Sequence, residues 1–142
     1  MDVCEKIKSV SEHYKLGCTC SQAVLCAYAK ELGLDEEQAY KLMEGFGDGC
    51  GGMQEMCGAL LACMAIISYY CSSGRTDDEY AKAFTYTKIH QAKEIFLREY
   101  GGITCREILH GECPKTMGCG MKVKDSVLII EDVLRDVNRE RK

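Results

Sequence analysis

The residues of this chain that are best suited to chemistry are its eleven cysteines, spread over 142 positions. They stand at positions 4, 18, 20, 26, 50, 57, 63, 71, 105, 113 and 119. Because a thiolate is both a nucleophile and a metal ligand, so many cysteines indicate redox chemistry or metal binding. An odd number, in a chain long enough to build its own core, argues against a framework of structural disulfides.

Two cysteines lie in the same short pattern. Residues 19–22 read TCSQ and residues 104–107 read TCRE, which is the capping-box form that opens a helix. Cys20 and Cys105 would then occupy the first helical position, where unpaired amides and the helix dipole stabilise a thiolate and lower the thiol pKa. A capping box is also a common helix start that requires no functional cysteine, so this pattern alone leaves both interpretations open.

A third candidate lies in a glycine-rich segment. Residues 47–63 read GDGCGGMQEMCGALLAC and contain Cys50, Cys57 and Cys63. The start of the segment matches G-x-G-x-x-G, but a dinucleotide site also needs a preceding strand and a βαβ unit, and here a helical pattern precedes it. We therefore expect a turn whose glycines let backbone amides approach the sulfur of Cys57, a turn or less inside an apolar helix.

The remaining cysteines divide by their surroundings. Three lie in apolar helical runs, where free cysteine commonly acts as a small buried hydrophobe: Cys26, Cys63 and Cys71. Cys113 and Cys119 flank a loop that could return over other helix ends. The chain has no C-x-x-C pair, which argues against a thioredoxin-type site and a standard zinc finger. A zinc set of Cys105, His110, Cys113 and Cys119 has irregular spacing.

Helical periodicity runs through the chain and predicts how these cysteines are positioned. The fold class we expect is all-α, a single domain over residues 1–142, built as a bundle of about six helices around a buried central helix. The central helix lies in residues 56–74, which carry no charge. Its glycines, serines and cysteines favour a core helix over a membrane span. The predicted helices cover about 2–15, 21–32, 34–46, 55–71, 77–100, a short one from 104, and a last one with its stripe at Val123, Val127, Ile130, Leu134 and Val137.

Composition restricts the partners and the compartment. The net charge of −4 and the pI near 5.4 argue against nucleic acid or an anionic membrane as a partner. Residues 1–17 are charged and lack the apolar region of a signal peptide, so we expect a cytoplasmic protein with reduced cysteines. A redox partner protein or a small thiol is the expected partner, and the apolar central helix is compatible with a homodimer.

Residues 57–62, CGALLA, carry a resemblance to a known family. The chain resembles the small redox-active proteins named for their C…GCAxxG…C…C pattern, which share four cysteines, the second in a Cys-Gly-Ala-x-x-Gly motif after a glycine-rich loop. Ala62 stands where the motif ends in glycine, and alanine still permits close helix packing. The resemblance extends over nearly the whole chain and implies that the four cysteines are Cys20, Cys57, Cys105 and Cys119, with Cys113 competing for the fourth place.

The resemblance implies redox activity without a known substrate, and two mechanisms stay open. In the first, the four cysteines converge for thiol–disulfide exchange, in which one thiolate attacks and a second cysteine resolves. In the second, the same four thiolates hold an iron–sulfur cluster for electron transfer, or less favourably zinc, with Cys50 and Cys113 as secondary ligand candidates. A third interpretation is a structural or sensor protein whose cysteines are mainly core.

Overall fold

A computed structural model of the chain describes residues 2–110, 119–137 and 139, without the side chains of residues 109, 110 and 119. Over these ranges the protein is helical and has no strand, which confirms the all-α prediction. The helices in chain order are α1 (Val3–Lys15), α2 (Cys20–Tyr28), α3 (Glu36–Met43), the single turn α4 (Gly47–Cys50), α5 (Gly58–Cys71), α6 (Glu79–Tyr100), α7 (Cys105–His110) and α8 (Cys119–Val133).

Side-chain caps define where several helices begin. Asp2 starts α1 and Asp35 starts α3, each through a capping box with the residue three positions later. Asp78 caps α6 by accepting from the N–H of Ala81 at 3.0 Å. The sequence predicts a cap at Asp35 for the helix expected over 34–46, and the structure confirms it. The second helix is shorter than predicted, because the chain leaves α2 after Tyr28 and passes through turns to Gly33, whose φ is +74°.

The central helix is α5, and it packs against α2, α6 and α8. Its core side chains Leu60, Ile66 and Ile67 are fully buried, which confirms the prediction of a buried central helix. The helix begins at Gly58 rather than near residue 55, because the preceding residues are held in extended backbone pairing with another segment. Cys57 is therefore the N-cap residue of α5. The expectation that Cys57 lies inside this helix was wrong. None of the described helices combines the length and apolar character that crossing a bilayer requires.

The sequence predicts an apolar stripe on each of the two other long helices, and in α6 this stripe comprises Thr85, Ile89, Ala92, Phe96 and Tyr100. Ala92, Phe96 and Tyr100 of α6 are buried. The four buried positions of the last stripe are Val123, Val127, Ile130 and Leu134. The buried face of α8 also carries two polar residues, Lys122 and Ser126, which are 1% and 0% exposed.

A cluster of ion pairs connects the first and last helices. The ammonium of Lys6, 3% exposed, lies 2.5 Å from Glu31 and 3.4 Å from Glu131. Arg139 contacts the same Glu131 at 3.0 Å, and the hydroxyl of Tyr28 donates to that carboxylate at 2.7 Å. Because both cations share both carboxylates, the cluster fastens α1 and the chain after α8 to the end of α2.

Replacing Lys6 with methionine should lower the free energy of unfolding by about 3 kcal/mol, because two partly buried carboxylates lose a buried partner. Chemical denaturation monitored by circular dichroism measures the effect. Lys41→Met is the matched control, since Lys41 forms an exposed i,i+4 pair with Glu37 and such pairs contribute little. Equal stability of the two variants would contradict a structural role for the buried cluster.

Candidate functional site

The segments that precede α5 and α7 pair in a short antiparallel bridge. The N–H of Cys57 donates to the carbonyl of Ile103 at 2.8 Å, and the N–H of Cys105 donates to the carbonyl of Glu55 at 2.6 Å. Cys57 and Cys105 are thus diagonal neighbours, and such residues lie roughly 7–8 Å apart. The bridge thus brings two of the predicted site cysteines into neighbouring positions.

The predicted capping boxes beside Cys20 and Cys105 are both present. The side chain of Thr19 accepts from the N–H of Gln22, whose side chain accepts from the N–H of Thr19. Thr104 and Glu107 make the equivalent reciprocal bonds, at 3.0 and 3.1 Å. Cys20 and Cys105 accordingly occupy the first residues of α2 and α7, as the sequence predicts.

The first glycines of the glycine-rich loop approach Thr19 and Cys105, and not the sulfur of Cys57 as the sequence predicts. A Cβ on Gly49 would lie 2.7 Å from the Cβ of Cys105, and a Cβ on Gly47 would lie 2.5 Å from the Cβ of Thr19. The loop therefore lies directly against the starts of α2 and α7. Gly58 makes the close approach near Cys57, since a Cβ there would lie 3.0 Å from the Sγ of Cys20.

Cys20 and Cys57 lie close together, since the Sγ of Cys20 would be 3.0 Å from a Cβ on Gly58, the residue that follows Cys57. A side-chain hydrogen bond from Cys20 lowers the pKa of the Cys57 thiol. The two sulfurs differ in access, because Cys57 is only 1% exposed while Cys20 is partly exposed. The pair joins the start of α2 to the start of the central helix.

A buried lysine completes the surroundings of Cys57. The ammonium of Lys122, on α8, donates to the Sγ of Cys57 at 3.9 Å. Ser126, one turn further along, donates its hydroxyl to the carbonyl of Lys122 at 2.7 Å. Sequence reasoning did not identify Lys122. The available signal is that Lys122 and Ser126 are polar residues on the apolar face of the last helix.

These neighbours lower the pKa of the Cys57 thiol from its ordinary 9.0 to about 6. The largest cause is the hydrogen bond from Cys20, which acts against the desolvation that burial imposes. The charge of Lys122 lowers the pKa further, as do the backbone amides of Leu60 and Ala59 at the start of α5. Cys57 is therefore a thiolate at neutral pH, which is the nucleophilic form of cysteine.

The cysteines expected in the core behave differently. Cys63 and Cys71 are 0% and 5% exposed, which confirms their core placement, whereas Cys26 is only partly buried. Burial raises the pKa of Cys63 and of Cys26 to about 12, and it also raises the pKa of Cys71. These thiols stay protonated and unreactive at neutral pH.

The structure describes the surroundings of two further predicted site residues and leaves two others outside the described part. Cys105 is 7% exposed, and the Sγ of Cys50 donates to the carbonyl of Met56 at 3.9 Å, beside the bridge. Cys119 begins α8, but its side chain is outside the described part, and so is the whole of Cys113. No disulfide joins any of the nine cysteines whose side chains the structure describes, and no three described His, Cys, Asp or Glu side chains converge as metal ligands.

The fold and the site together define a class: an all-α protein in which Cys20, at the start of α2, lies close to Cys57 at the start of the central helix. A family model described as "Putative redox-active protein (C_GCAxxG_C_C)" matches residues 18–133, and the chain belongs to this family. The match confirms the resemblance recognised from the cysteine pattern. The chain has no significant match among curated proteins or solved structures.

Titration of the thiolate should show a transition near pH 6 that belongs to Cys57, well below the ordinary value of 9.0. Because the folded pKa is lowered, the thiolate is present above this pH and is lost as the pH falls through it. The measurement is thiolate absorbance at 240 nm against pH, as the difference between the wild type and Cys57→Ser. Cys63→Ser should retain the transition, and its disappearance in that variant would contradict the assignment.

Removing the charge of Lys122 should raise the midpoint of this transition. Lys122→Met keeps the apolar part of the side chain but deletes the ammonium that lowers the pKa of Cys57. Lys124→Met is the matched control, because Lys124 is an exposed residue of the same helix. Identical midpoints in both variants would show that Lys122 does not stabilise the thiolate.

Proposed function

We propose that this protein is a thiol–disulfide redox protein in which Cys20 and Cys57 interconvert between a dithiol and a disulfide. The observation that carries the proposal is the position of Cys20 against the start of α5, where its Sγ would lie 3.0 Å from a Cβ on Gly58, next to Cys57. A hydrogen bond from Cys20 also lowers the pKa of Cys57. One sulfur is thus held as the thiolate nucleophile while the other stays next to it as the resolving thiol. This division of roles is what thiol–disulfide exchange requires.

The proposed reaction balances in protons and electrons. In the dithiol state, the pair holds one thiolate at Cys57 and one thiol proton at Cys20. Forming the sulfur–sulfur bond releases that proton and transfers two electrons to an oxidant. The reverse step takes two electrons from a redox partner protein or a small thiol, and the charge of Lys122 favours the returning thiolate at Cys57.

Cys105 and Cys119 enter the proposal as the other two family cysteines. Cys105 is supported by its place across the bridge from Cys57, and Cys119 by the family pattern alone. We propose that they pass the disulfide from the inner pair to a redox partner protein, whereas a small thiol reacts with the pair directly. We also propose a cytoplasmic protein, since an odd number of cysteines in a chain large enough to fold without disulfides fits a reducing compartment.

Equilibrating the protein across a graded series of dithiothreitol redox buffers should oxidise one pair of thiols, mapped by mass spectrometry to a Cys20–Cys57 bond. Cys20→Ser and Cys57→Ser should each abolish that transition, because each removes one of the two sulfurs. Cys63→Ser should behave as the wild type, since Cys63 is a buried thiol outside the pair.

Anaerobic purification with iron, sulfide and zinc analysis tests the competing mechanism. A colourless, metal-free protein that forms the Cys20–Cys57 bond agrees with the proposal. A brown protein that contains iron and sulfide and loses both in Cys57→Ser would replace it with the cluster mechanism.

A further inference from the structure

The reactive sulfur and the accessible sulfur of this pair are not the same atom. Cys57 accepts the hydrogen bond of Cys20 and is 1% exposed, whereas Cys20 donates that bond and is partly exposed. Since the thiolate is the attacking form, the nucleophile lies below the surface, beside a cysteine that solvent reaches.

This arrangement limits the size of the molecule that Cys57 can attack. The backbone at Gly58 lies against the carbonyl of Phe46 and the sulfur of Cys20, where even an added Cβ would be 2.4 and 3.0 Å from its neighbours. Lys122 lies on the α8 side, itself 1% exposed. A disulfide substrate carries a large group on each sulfur and must bring one sulfur onto the thiolate. An oxidant of two heavy atoms needs only a water-sized opening.

We propose that the oxidising substrate of this protein is a small hydroperoxide, reduced at Cys57. This inference rests on the proposed function, because it needs Cys20 and Cys57 to form a disulfide. It goes beyond that function in naming the chemical class of oxidant and the sulfur that meets it.

The oxidative half of the reaction balances with hydrogen peroxide alone. The Cys57 thiolate attacks one oxygen, the oxygen–oxygen bond breaks, and hydroxide leaves with the bonding electrons and is protonated to water. Cys57 is then a sulfenic acid, which condenses with a neighbouring thiol. The sulfur of Cys20 attacks the sulfur of Cys57, the sulfur–oxygen bond breaks, and the second water leaves with the Cys20 proton. The ammonium of Lys122, 3.9 Å from the sulfur, faces the negative charge as it passes to hydroxide.

The reductive half uses the other sulfur. A small thiolate from solution attacks the partly exposed Cys20, and Cys57 leaves as the thiolate that its surroundings stabilise. A leaving thiol of low pKa departs faster, so attack at Cys20 is favoured by chemistry as well as by access. A second thiol then releases Cys20 as a thiol and carries away the oxidised reductant as its disulfide. Oxidant and reductant therefore react at different cysteines.

Stopped-flow oxidation of the reduced protein distinguishes the two classes of oxidant. The rate of Cys57 oxidation is measured with hydrogen peroxide and with glutathione disulfide, each divided by the rate of free cysteine in the same buffer. We expect the peroxide ratio to exceed the glutathione ratio by about tenfold or more, because only the small oxidant reaches the buried thiolate. Lys122→Met should slow the peroxide reaction, and Lys124→Met should not.

Trapping the intermediate locates the reacting sulfur. Cys20→Ser, treated with one equivalent of hydrogen peroxide and quenched in denaturant with dimedone, should carry the label on Cys57. If that variant folds poorly, the wild-type protein quenched in the same way during a single turnover should carry the dimedone label on Cys57. A label on Cys20, or a glutathione ratio equal to or above the peroxide ratio, would overturn the hydroperoxide proposal while the redox-buffer transition still stands. Absence of that transition defeats the proposed function and this inference with it.

Discussion

A negative charge in the interior of a helical bundle has to be compensated by groups that the fold brings to it. Burial alone raises the pKa of a thiol, as it does at Cys63. At Cys57 the same penalty is outweighed by a hydrogen bond from α2, an ammonium from α8 and the first amides of α5. Because each buried ion would be costly alone, the thiolate and Lys122 stabilise each other and fix how these three helices meet.

Close backbone contacts make this convergence possible. Gly47, Gly49 and Gly58 each lie where a Cβ would collide with a neighbour, so the loop and the starts of α2, α5 and α7 approach more closely than side chains would allow. The loop also holds Asp48 and Cys50 at φ of +53° and +67°. Such conformations cost on the order of 1 kcal/mol or more each, and they cluster at functional sites because surrounding structure holds them.

Local signals in the sequence account for most of the fold and part of the site. Periodicity locates the stripes of α6 and α8, and the two capping boxes place Cys20 and Cys105 at helix starts because a capping box is closed within four residues. The start of α5 is different. It depends on backbone pairing with residues 103–105, so the sequence prediction set it too early.

The pairing of Cys20 with Cys57 and the role of Lys122 could not be predicted from the sequence, for the same reason. Both depend on helices that are far apart in the chain, and nothing within a single helix specifies which ends meet. The family pattern nominates Cys20 and Cys57 as two of four, without saying that these two touch. A lysine on an apolar face is only a sign that some buried anion faces it, and the tertiary structure identifies that anion as a sulfur.

Two of the buried lysines, Lys6 and Lys122, have partners of different kinds. Lys6 is paired with carboxylates, which take no part in the proposed redox change, so that cluster holds the fold in either redox state. Lys122 faces a thiolate, and oxidation to a disulfide removes that negative charge from beside the ammonium. Stabilising the thiolate therefore stabilises the reduced form, and a disulfide whose reduced form is stabilised is a stronger oxidant. In the proposed mechanism, the contact with Lys122 that favours the Cys57 thiolate would therefore also favour return of the Cys20–Cys57 disulfide to the dithiol.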